Sequence, residues 1–237
     1  MSEWATHAVV LPGTGSDARF AADAFSPALS AAGTVVEAVD PDPTRVVASY
    51  EAALDAAAAA HGRIIVGGIS IGAAVAAMWA SRNPDRVLGI LAALPPWIGP
   101  AGDAPAALSA RYTAQQLTTT GLAATTEAMT ASTPTWLAET LTRSWASQWP
   151  DLPAALIEAS MFVAPDQALL AGMTVPTAIV AAVDDPVHPY EIARIWHAEI
   201  QDSTLNTVTL EDIGTDPGIL GRHSVAALSD SLSRERP

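Results

Sequence analysis

The chain of 237 residues carries 25 acidic and 11 basic side chains, which gives a formal net charge of −14. Nucleic-acid binding is excluded by that balance, because phosphate contacts require a basic surface. There is no cysteine and no lysine, so disulfides, thiolate metal sites and lysine Schiff bases are excluded as well.

The length suits a single globular domain with a substantial core. Glycine, proline or charge interrupts every apolar run before the ~18–20 residues that a membrane span requires. The first residues, Met1 to Trp4, lack the basic stretch of a secretory signal. We therefore expect a cytoplasmic protein without a membrane span, and the sequence leaves its oligomeric state open.

Strand and helix patterns alternate along both ends of the chain. Short apolar or β-branched runs bounded by glycine or proline predict six strands, at 7–11, 33–39, 62–66, 87–93, 177–182 and 205–210. Alanine-rich stretches predict helices, over about 17–32, 45–60, 70–82 and 224–233, with one more between the last two strands. Thr44 is the expected N-cap of the second helix. The alternation favours an α/β fold with a doubly wound, mostly parallel sheet covered on both faces.

Residues 95–165 interrupt this alternation. The segment is compatible with helix and holds four of the seven tryptophans, namely Trp97, Trp136, Trp145 and Trp149. It predicts a helical insertion, or lid, over one edge of the sheet, with residues 1–94 and 166–237 forming the core. Leu137, Leu141 and Trp145 repeat at i+4 and Trp149 extends the row, so they form one stripe, a pattern that usually indicates packing.

The strongest local signal is Gly68-Ile69-Ser70-Ile71-Gly72, which follows the third predicted strand and precedes a helix. A Gly-x-Ser-x-Gly sequence in this context is typical of a sharp strand-to-helix turn, which lifts a serine hydroxyl clear of the sheet. The two glycines are needed because a Cβ at either position would collide with the neighbouring strand or helix. We therefore predict that Ser70 is a catalytic nucleophile.

The acid and the histidine of such a triad follow the serine along the chain. Asp184 and Asp185 come directly after the fifth strand, and one of them is expected to accept the imidazole N–H. Of the five histidines, only His223 lies in a predicted loop between the last strand and the last helix. His188 sits only three residues after the acids, in a cluster more typical of a turn than of a metal site. His223 is therefore the predicted general base.

Several segments, which span nearly the whole chain outside the insertion, resemble the α/β-hydrolase family. Residues 11–17 (Leu-Pro-Gly-Thr-Gly-Ser-Asp) resemble its oxyanion loop and 83–87 the turn after its nucleophile helix. Residues 185–189 resemble its acid loop, and 221–223 are a loose version of its Gly-His loop.

The resemblance implies roles for several residues. Asp185 is favoured over Asp184 as the acid, because the family's aspartate usually lies four residues before a proline, here Pro189. The oxyanion of an acyl substrate would be held by the backbone N–H groups of Ile71 and Thr14.

Two departures from the family pattern stand out. Pro12 replaces the usual histidine of the oxyanion loop, which leaves the backbone donors but alters how the loop is anchored. The chain also begins at the strand that leads to this loop, so the family's first two strands are expected to be absent. The pattern resembles the small, lidded, esterase-like members.

The resemblance implies a serine hydrolase that acts on small to medium apolar acyl esters, thioesters or lactones through an acyl-enzyme, without a metal or other cofactor. The insertion is expected to cover Ser70 and to line an apolar acyl pocket, with contributions from Trp97, Met129, Trp145 and Phe162. Arg111 and Arg143 of the insertion could bind a substrate carboxylate, but a solvated position on the surface is the favoured expectation for both.

Several alternatives stay open. A perhydrolase without a cofactor, a carbon–carbon bond hydrolase or an acyltransferase would use the same residues. Gly13-Thr-Gly-Ser-Asp-Ala18 after a strand also fits a dinucleotide-binding pattern, with Glu37 or Asp40 on the ribose. The remaining hypothesis is a binding protein that keeps the hydrolase pocket but does not catalyse a reaction, since a fold does not determine a function.

Overall fold

The computed structural model describes residues 4–234. Six strands form one parallel sheet in the order β2-β1-β3-β4-β5-β6. Their bounds are β1 His7–Leu11, β2 Val35–Ala38, β3 Ile64–Ile69, β4 Val87–Ala93, β5 Thr177–Ala182 and β6 Ser203–Val208. The predicted α/β fold with a doubly wound sheet of six strands is confirmed, with small differences at the strand ends.

Ten α-helices lie among these residues: α1 Ala18–Ala31, α2 Val46–His61, α3 Ile71–Arg82, α4 Pro105–Ser132, α5 Thr135–Gln148, α6 Leu152–Met161, α7 Gln167–Ala171, α8 Tyr190–Glu199, α9 Leu210–Thr215 and α10 Gly218–Arg234. Helices α1 and α10 cover one face of the sheet, and α2, α3 and α8 cover the other. Strands β3, β4 and β5 are buried along their whole length, as central parallel strands are when both faces are covered. No helix within 4–234 is both long and apolar enough to cross a membrane.

The strand order reverses between β1 and β3. Chain connections leave these two strands toward opposite faces, so a crevice opens beyond their carboxyl ends, where ligands bind in open α/β sheets. The loop of residues 12–17 after β1 and the turn at Ser70 after β3 both lie at this point.

The segment between β4 and β5 contains α4, α5 and α6, as the helical pattern predicted. Its own small apolar core includes Leu117, Trp145, Leu152 and Leu156, with Met129 and Leu141 packed around it. Of the predicted stripe, Trp145 is buried and Leu141 packs beside it, whereas Trp149 follows the end of α5 and is 40% exposed.

Glu158 of α6 ties this segment to the core. Its carboxylate accepts hydrogen bonds from the backbone of Val46 and Val47, at 2.8 and 3.0 Å, and so caps the N-terminus of α2. The prediction that Thr44 caps α2 is wrong, because the Thr44 hydroxyl instead donates to Asp42 at 2.7 Å. A carboxylate at this position also interacts favourably with the helix dipole.

Helix α10 begins earlier than predicted, at Gly218. The added residues of α10 pack closely on α1, because Gly221 lies against the backbone of that helix. A Cβ on Gly221 would come within 2.5 Å of the Ala24 carbonyl oxygen. His223 therefore lies on a packed helix and not in a loop.

Candidate active site

Ser70 occupies a strained turn between β3 and α3. Its backbone adopts φ 55° and ψ −118°, a conformation that non-glycine residues seldom adopt and that costs about 1–3 kcal/mol. The Ser70 N–H donates to the carbonyl of Ala93 at 2.9 Å, which fixes the turn to the end of β4. Only 6% of the residue is exposed.

Gly68 and Gly72 allow the close approach on which this turn depends. A Cβ at Gly68 would overlap the Leu11 carbonyl oxygen and lie 2.7 Å from the Gly72 carbonyl carbon. A Cβ at Gly72 would lie 2.7 Å from the Pro12 carbonyl oxygen. The steric reason given for these two glycines from the sequence therefore matches the packing of β1 against α3.

A hydrogen-bonded chain connects Ser70 to a histidine and an aspartate. The His188 Nε2 lies 2.9 Å from the Ser70 Oγ, and the His188 Nδ1 lies 2.7 Å from the Asp185 Oδ2. The side chains of His188 and Asp185 are 16% and 6% exposed. This arrangement permits proton transfer from Ser70 to His188, with Asp185 orienting the imidazole.

The predicted pairing of His223 with Asp185 is therefore corrected. His223 lies on α10, and His188 takes the place beside Ser70. Between β6 and α10 the chain forms α9, and the indole of Trp136 from α5 covers it so closely that a Cβ at Gly214 would overlap the ring.

Local hydrogen bonds explain how residues three apart can pair. Asp185 Oδ1 accepts from the backbone of Val187 at 2.7 Å and of His188 at 3.2 Å. These bonds fold the loop in the manner of an aspartate turn, so Asp185 Oδ2 meets the His188 ring. The signal in the sequence was the Asp-x-x-His spacing directly after a strand, which the prediction assigned to turn formation alone.

Asp184 and Asp185 take different roles in the structure. Asp184 Oδ1 accepts a hydrogen bond from the backbone of Leu210 at 2.8 Å and so stabilises the first turn of α9. Of the two acids that the sequence offered, Asp185 is the one in contact with a histidine.

The surroundings keep Asp185 ionised. Burial acts to raise the pKa of this carboxyl group, but hydrogen bonds from the His188 ring and from the backbone of Val187 and His188 outweigh it, so the pKa lies below its ordinary value. A carboxylate is therefore available at neutral pH to accept the imidazole N–H and to stabilise an imidazolium.

The two residues expected to donate to an oxyanion lie on either side of Ser70. Ile71 is the first residue of α3, where backbone N–H groups have no partner within the helix. Thr14 lies in a turn closed by the hydrogen bond from Ser16 N–H to the Gly13 carbonyl, at 3.0 Å. A Cβ placed on Gly13 would lie 3.5 Å from the Ser70 Cβ. The roles of the Ile71 and Thr14 N–H groups as oxyanion donors therefore stay predictions, and the local geometry is compatible with them.

The four residues predicted to line a pocket fall into two groups. Trp97 is buried and donates from Nε1 to the Phe162 carbonyl at 3.2 Å. Trp145 is buried in the core of the insertion, with Met129 packed around that core. Trp145 approaches the loop beside Ser70, since a Cβ on Gly15 would lie 3.0 Å from its Nε1.

Carboxylates occupy the helix terminus that a dinucleotide would require. Asp40 Oδ1 accepts from the Ala18 N–H at 3.1 Å, and Asp17 Oδ1 accepts from the Phe20 N–H at 3.0 Å. In dinucleotide-binding folds this terminus binds the pyrophosphate. Negative side chains there oppose a second anion, which argues against the dinucleotide alternative.

Comparisons with known proteins agree with the fold. Of the solved structures, the chain is similar to a hydrolase from Oleispira antarctica, with 15% identity, a TM-score of 0.73 and coverage of 98% of this chain and 92% of that one. It is also similar to a carboxylesterase from Nitrososphaera gargenis (16% identity, TM-score 0.72, coverage 98% and 92%). A bromoperoxidase from Bacillus anthracis gives 17% identity, a TM-score of 0.67 and coverage of 98% and 91%.

At these identities the structural likeness concerns the fold alone. None of the curated proteins compared with the chain matches it significantly. A model of the alpha/beta hydrolase family matches residues 2–217. Because that match covers most of its length, this chain belongs to the alpha/beta hydrolase family.

Proposed function

We propose that the protein is a serine hydrolase that cleaves small to medium uncharged carboxylic esters through an acyl-enzyme on Ser70. The observation that carries the proposal is the chain of contacts from Ser70 Oγ to His188 Nε2 and from His188 Nδ1 to Asp185, at 2.9 and 2.7 Å. Family membership supports hydrolysis in general, and this geometry supports attack by Ser70 on an acyl carbon, for which an ester is the simplest substrate.

The reaction follows from the contacts. Ser70 Oγ attacks the ester carbonyl carbon while its proton passes to His188 Nε2, and the carbonyl oxygen becomes an oxyanion held by the N–H groups of Ile71 and Thr14. Collapse of this intermediate breaks the bond to the alcohol, which leaves with the proton from His188. Water then attacks the acyl-enzyme by the same steps, and the carboxylic acid is released with Ser70 restored.

Charge and burial favour uncharged, compact substrates. The net charge of −14 repels anionic substrates at long range, and Ser70 is buried, with only 6% of the residue exposed. Thioesters and lactones fit the same attack. The named neighbours include a carboxylesterase and a bromoperoxidase, so a test panel should also include hydrogen peroxide as an acyl acceptor.

The proposed pocket gives a test of substrate class. Burial of each added methylene contributes about 0.8 kcal/mol, or roughly fourfold in kcat/KM, until the pocket is full. We expect kcat/KM for p-nitrophenyl esters to rise along the short chains and then to fall sharply. Trp145→Ala should shift this maximum to longer acyl chains, because it removes an indole beside the oxyanion loop.

Trp97→Ala should shift the maximum as well if Trp97 lines the acyl site. Trp149→Ala is the control, since Trp149 is 40% exposed. If Trp97→Ala and Trp145→Ala leave both thermal stability and chain-length preference unchanged, the predicted roles of these tryptophans are wrong.

The two neighbouring aspartates provide a matched pair of variants. Asp185→Asn should lower kcat by about 10^3- to 10^4-fold, because an amide cannot hold His188 in the required tautomer or stabilise its cation. Asp184→Asn should change kcat only a few-fold and instead lower the melting temperature, because it weakens the first turn of α9. Steady-state kinetics and thermal unfolding of both variants test this, and the opposite ranking would overturn the assignment.

A further inference from the structure

We propose that Arg143 and Gln148 of α5 are positioning residues that hold the oxyanion loop, residues 12–17, against Ser70. The inference rests on the proposed function, in which the Thr14 N–H of this loop stabilises the oxyanion. Neither residue was expected to act at the site from the sequence, where Arg143 was predicted to be a solvated surface residue.

Arg143 donates two hydrogen bonds to the side chain of Asp17, the last residue of the loop. Its Nε lies 2.7 Å from Asp17 Oδ2, and its second guanidinium nitrogen lies 3.0 Å from Asp17 Oδ1. The Asp17 side chain is 11% exposed, and the hydrogen bond with it raises the pKa of Arg143. Such a planar, two-point contact fixes orientation as well as distance.

Gln148 holds the backbone one residue earlier. Its Nε2 donates to the Ser16 carbonyl at 3.0 Å and to the Ser144 hydroxyl at 2.7 Å, and the side chain is buried. Trp145, which lies between Arg143 and Gln148 in α5, packs on Gly15. The backbone of Gly15 has a φ of 69°, in the left-handed region. Three residues of α5 therefore contact three consecutive loop residues.

Fewer described hydrogen bonds restrain the start of the loop than its end, where Asp17 also accepts from the Phe20 N–H of α1. Pro12 has no backbone N–H, and Gly13 and Gly15 add conformational freedom. Beyond the turn from Ser16 to Gly13, the described contacts on residues 12–14 include the Tyr50 hydroxyl, which donates to the Pro12 carbonyl at 3.3 Å. Pro12 occupies the position where the alpha/beta hydrolase family usually has a histidine. The contacts with α5 therefore anchor the loop from another part of the chain.

The far end of α5 is fixed independently. Trp136 packs on Gly214 of α9 and stacks on Phe20 of α1, with ring centroids 5.8 Å apart. Because α5 is supported at this end, loss of Arg143 or Gln148 should release the loop without displacing the helix.

Displacement of the loop should affect the transition state more than the bound substrate. An oxyanion forms only during the reaction, so a misplaced Thr14 N–H lowers kcat and leaves KM nearly unchanged. Removal of an oxyanion donor costs about 10^2- to 10^3-fold in kcat. A displaced donor retains part of its effect, so we expect a loss of roughly 10- to 100-fold.

The test uses Arg143→Leu and Gln148→Met in the full-length protein, with p-nitrophenyl butyrate as substrate and butylboronic acid as transition-state analogue. Both variants should lose kcat by this factor with KM within about twofold, and their boronate affinity should fall in parallel with kcat/KM. Arg143→Lys should recover part of the loss, since an ammonium can still pair with Asp17.

Two controls match the chemistry of these substitutions. Arg82→Leu removes an ion pair with Glu51 at the far end of α3, and Gln167→Met removes an exposed hydrogen bond to Glu199. Both should leave kcat unchanged. Thermal unfolding of every variant separates loss of fold from loss of positioning.

The outcomes separate this inference from the proposed function. If the wild-type protein neither turns over the ester nor reacts at Ser70 with a fluorophosphonate, the proposed function fails and the positioning role fails with it. If the wild type is active and the folded variants Gln148→Met and Arg143→Leu keep kcat within twofold, only the positioning role is overturned. Arg143→Lys takes the place of Arg143→Leu in this comparison if the leucine variant does not fold. A rise in KM at constant kcat would overturn it as well.

Discussion

Ser70→Ala is expected to lower kcat by about 10^4-fold or more, the scale seen when a triad nucleophile is removed. Ser70 Oγ is the proposed nucleophile because it lies 2.9 Å from His188 Nε2, the base that would take its proton. In the wild-type protein, p-nitrophenyl butyrate should give a burst of p-nitrophenol equal to the enzyme concentration, and a fluorophosphonate should add its mass to the peptide that contains Ser70. Both signals should vanish in the variant.

Ser81→Ala is the matched control, because Ser81 lies near the end of α3 and donates only to the Met78 carbonyl at 2.8 Å. Alanine keeps the backbone requirement at position 70 nearly the same, so the melting temperature of Ser70→Ala should stay close to that of the wild type. Labelling that persists in Ser70→Ala would show that another residue is the nucleophile.

His188→Ala is expected to cause a loss of kcat as large as that of Ser70→Ala, whereas His223→Ala should remain close to wild type. His188 Nε2 is the base within reach of Ser70 Oγ at 2.9 Å, and His223 lies on α10 near Asp212. Because triad members act as a unit, the double variant Ser70→Ala/His188→Ala should be no slower than either single one.

Added imidazole provides a second readout for His188. It should restore part of the rate of His188→Ala, by occupying the space left beside Asp185, and should leave Ser70→Ala inactive. A fall in kcat for His223→Ala with a normal rate for His188→Ala would reverse the assignment.

The core of the fold was predictable because its signals are local. Strands such as β3 and β5 are buried on both faces, so each is a continuous apolar run bounded by turns. The turn that holds Ser70 was predictable for the same reason, since the strand, the glycines and the helix that form it are contiguous. Family resemblance selected Asp185 over Asp184, and the structure shows the contact that distinguishes them.

The histidine was mispredicted because chain order was given more weight than local geometry. His223 occupied the expected place along the chain, but the sequence did not reveal that Gly221 permits α10 to pack closely on α1 and to include residue 223. At His188 the decisive fact is a side-chain hydrogen bond to the backbone two and three residues ahead. Sequence spacing indicates such a turn but not which ring lies over the carboxylate.

Contacts between the insertion and the core could not be predicted from a single sequence. Arg143 meets Asp17, Gln148 meets Ser16, and Glu158 caps α2 across more than a hundred residues of chain. Charged and amide side chains on an amphipathic helix are compatible with solvent, and only the packed structure gives them partners.

The placement of Asp185 and His188 in one turn has a consequence for the rest of the chain. The entropy lost in bringing two groups together grows with the length of chain between them, by about 0.6 kcal/mol for each doubling. An acid at 185 and a base at 223 would depend on the ordered folding of β6, α9 and α10, whereas a pair three residues apart closes within one loop. Among the described residues, the chain beyond His188 contributes no member of the proposed triad, so sequence drift or insertions there should act on stability and leave the chemistry of the surviving folded molecules unchanged.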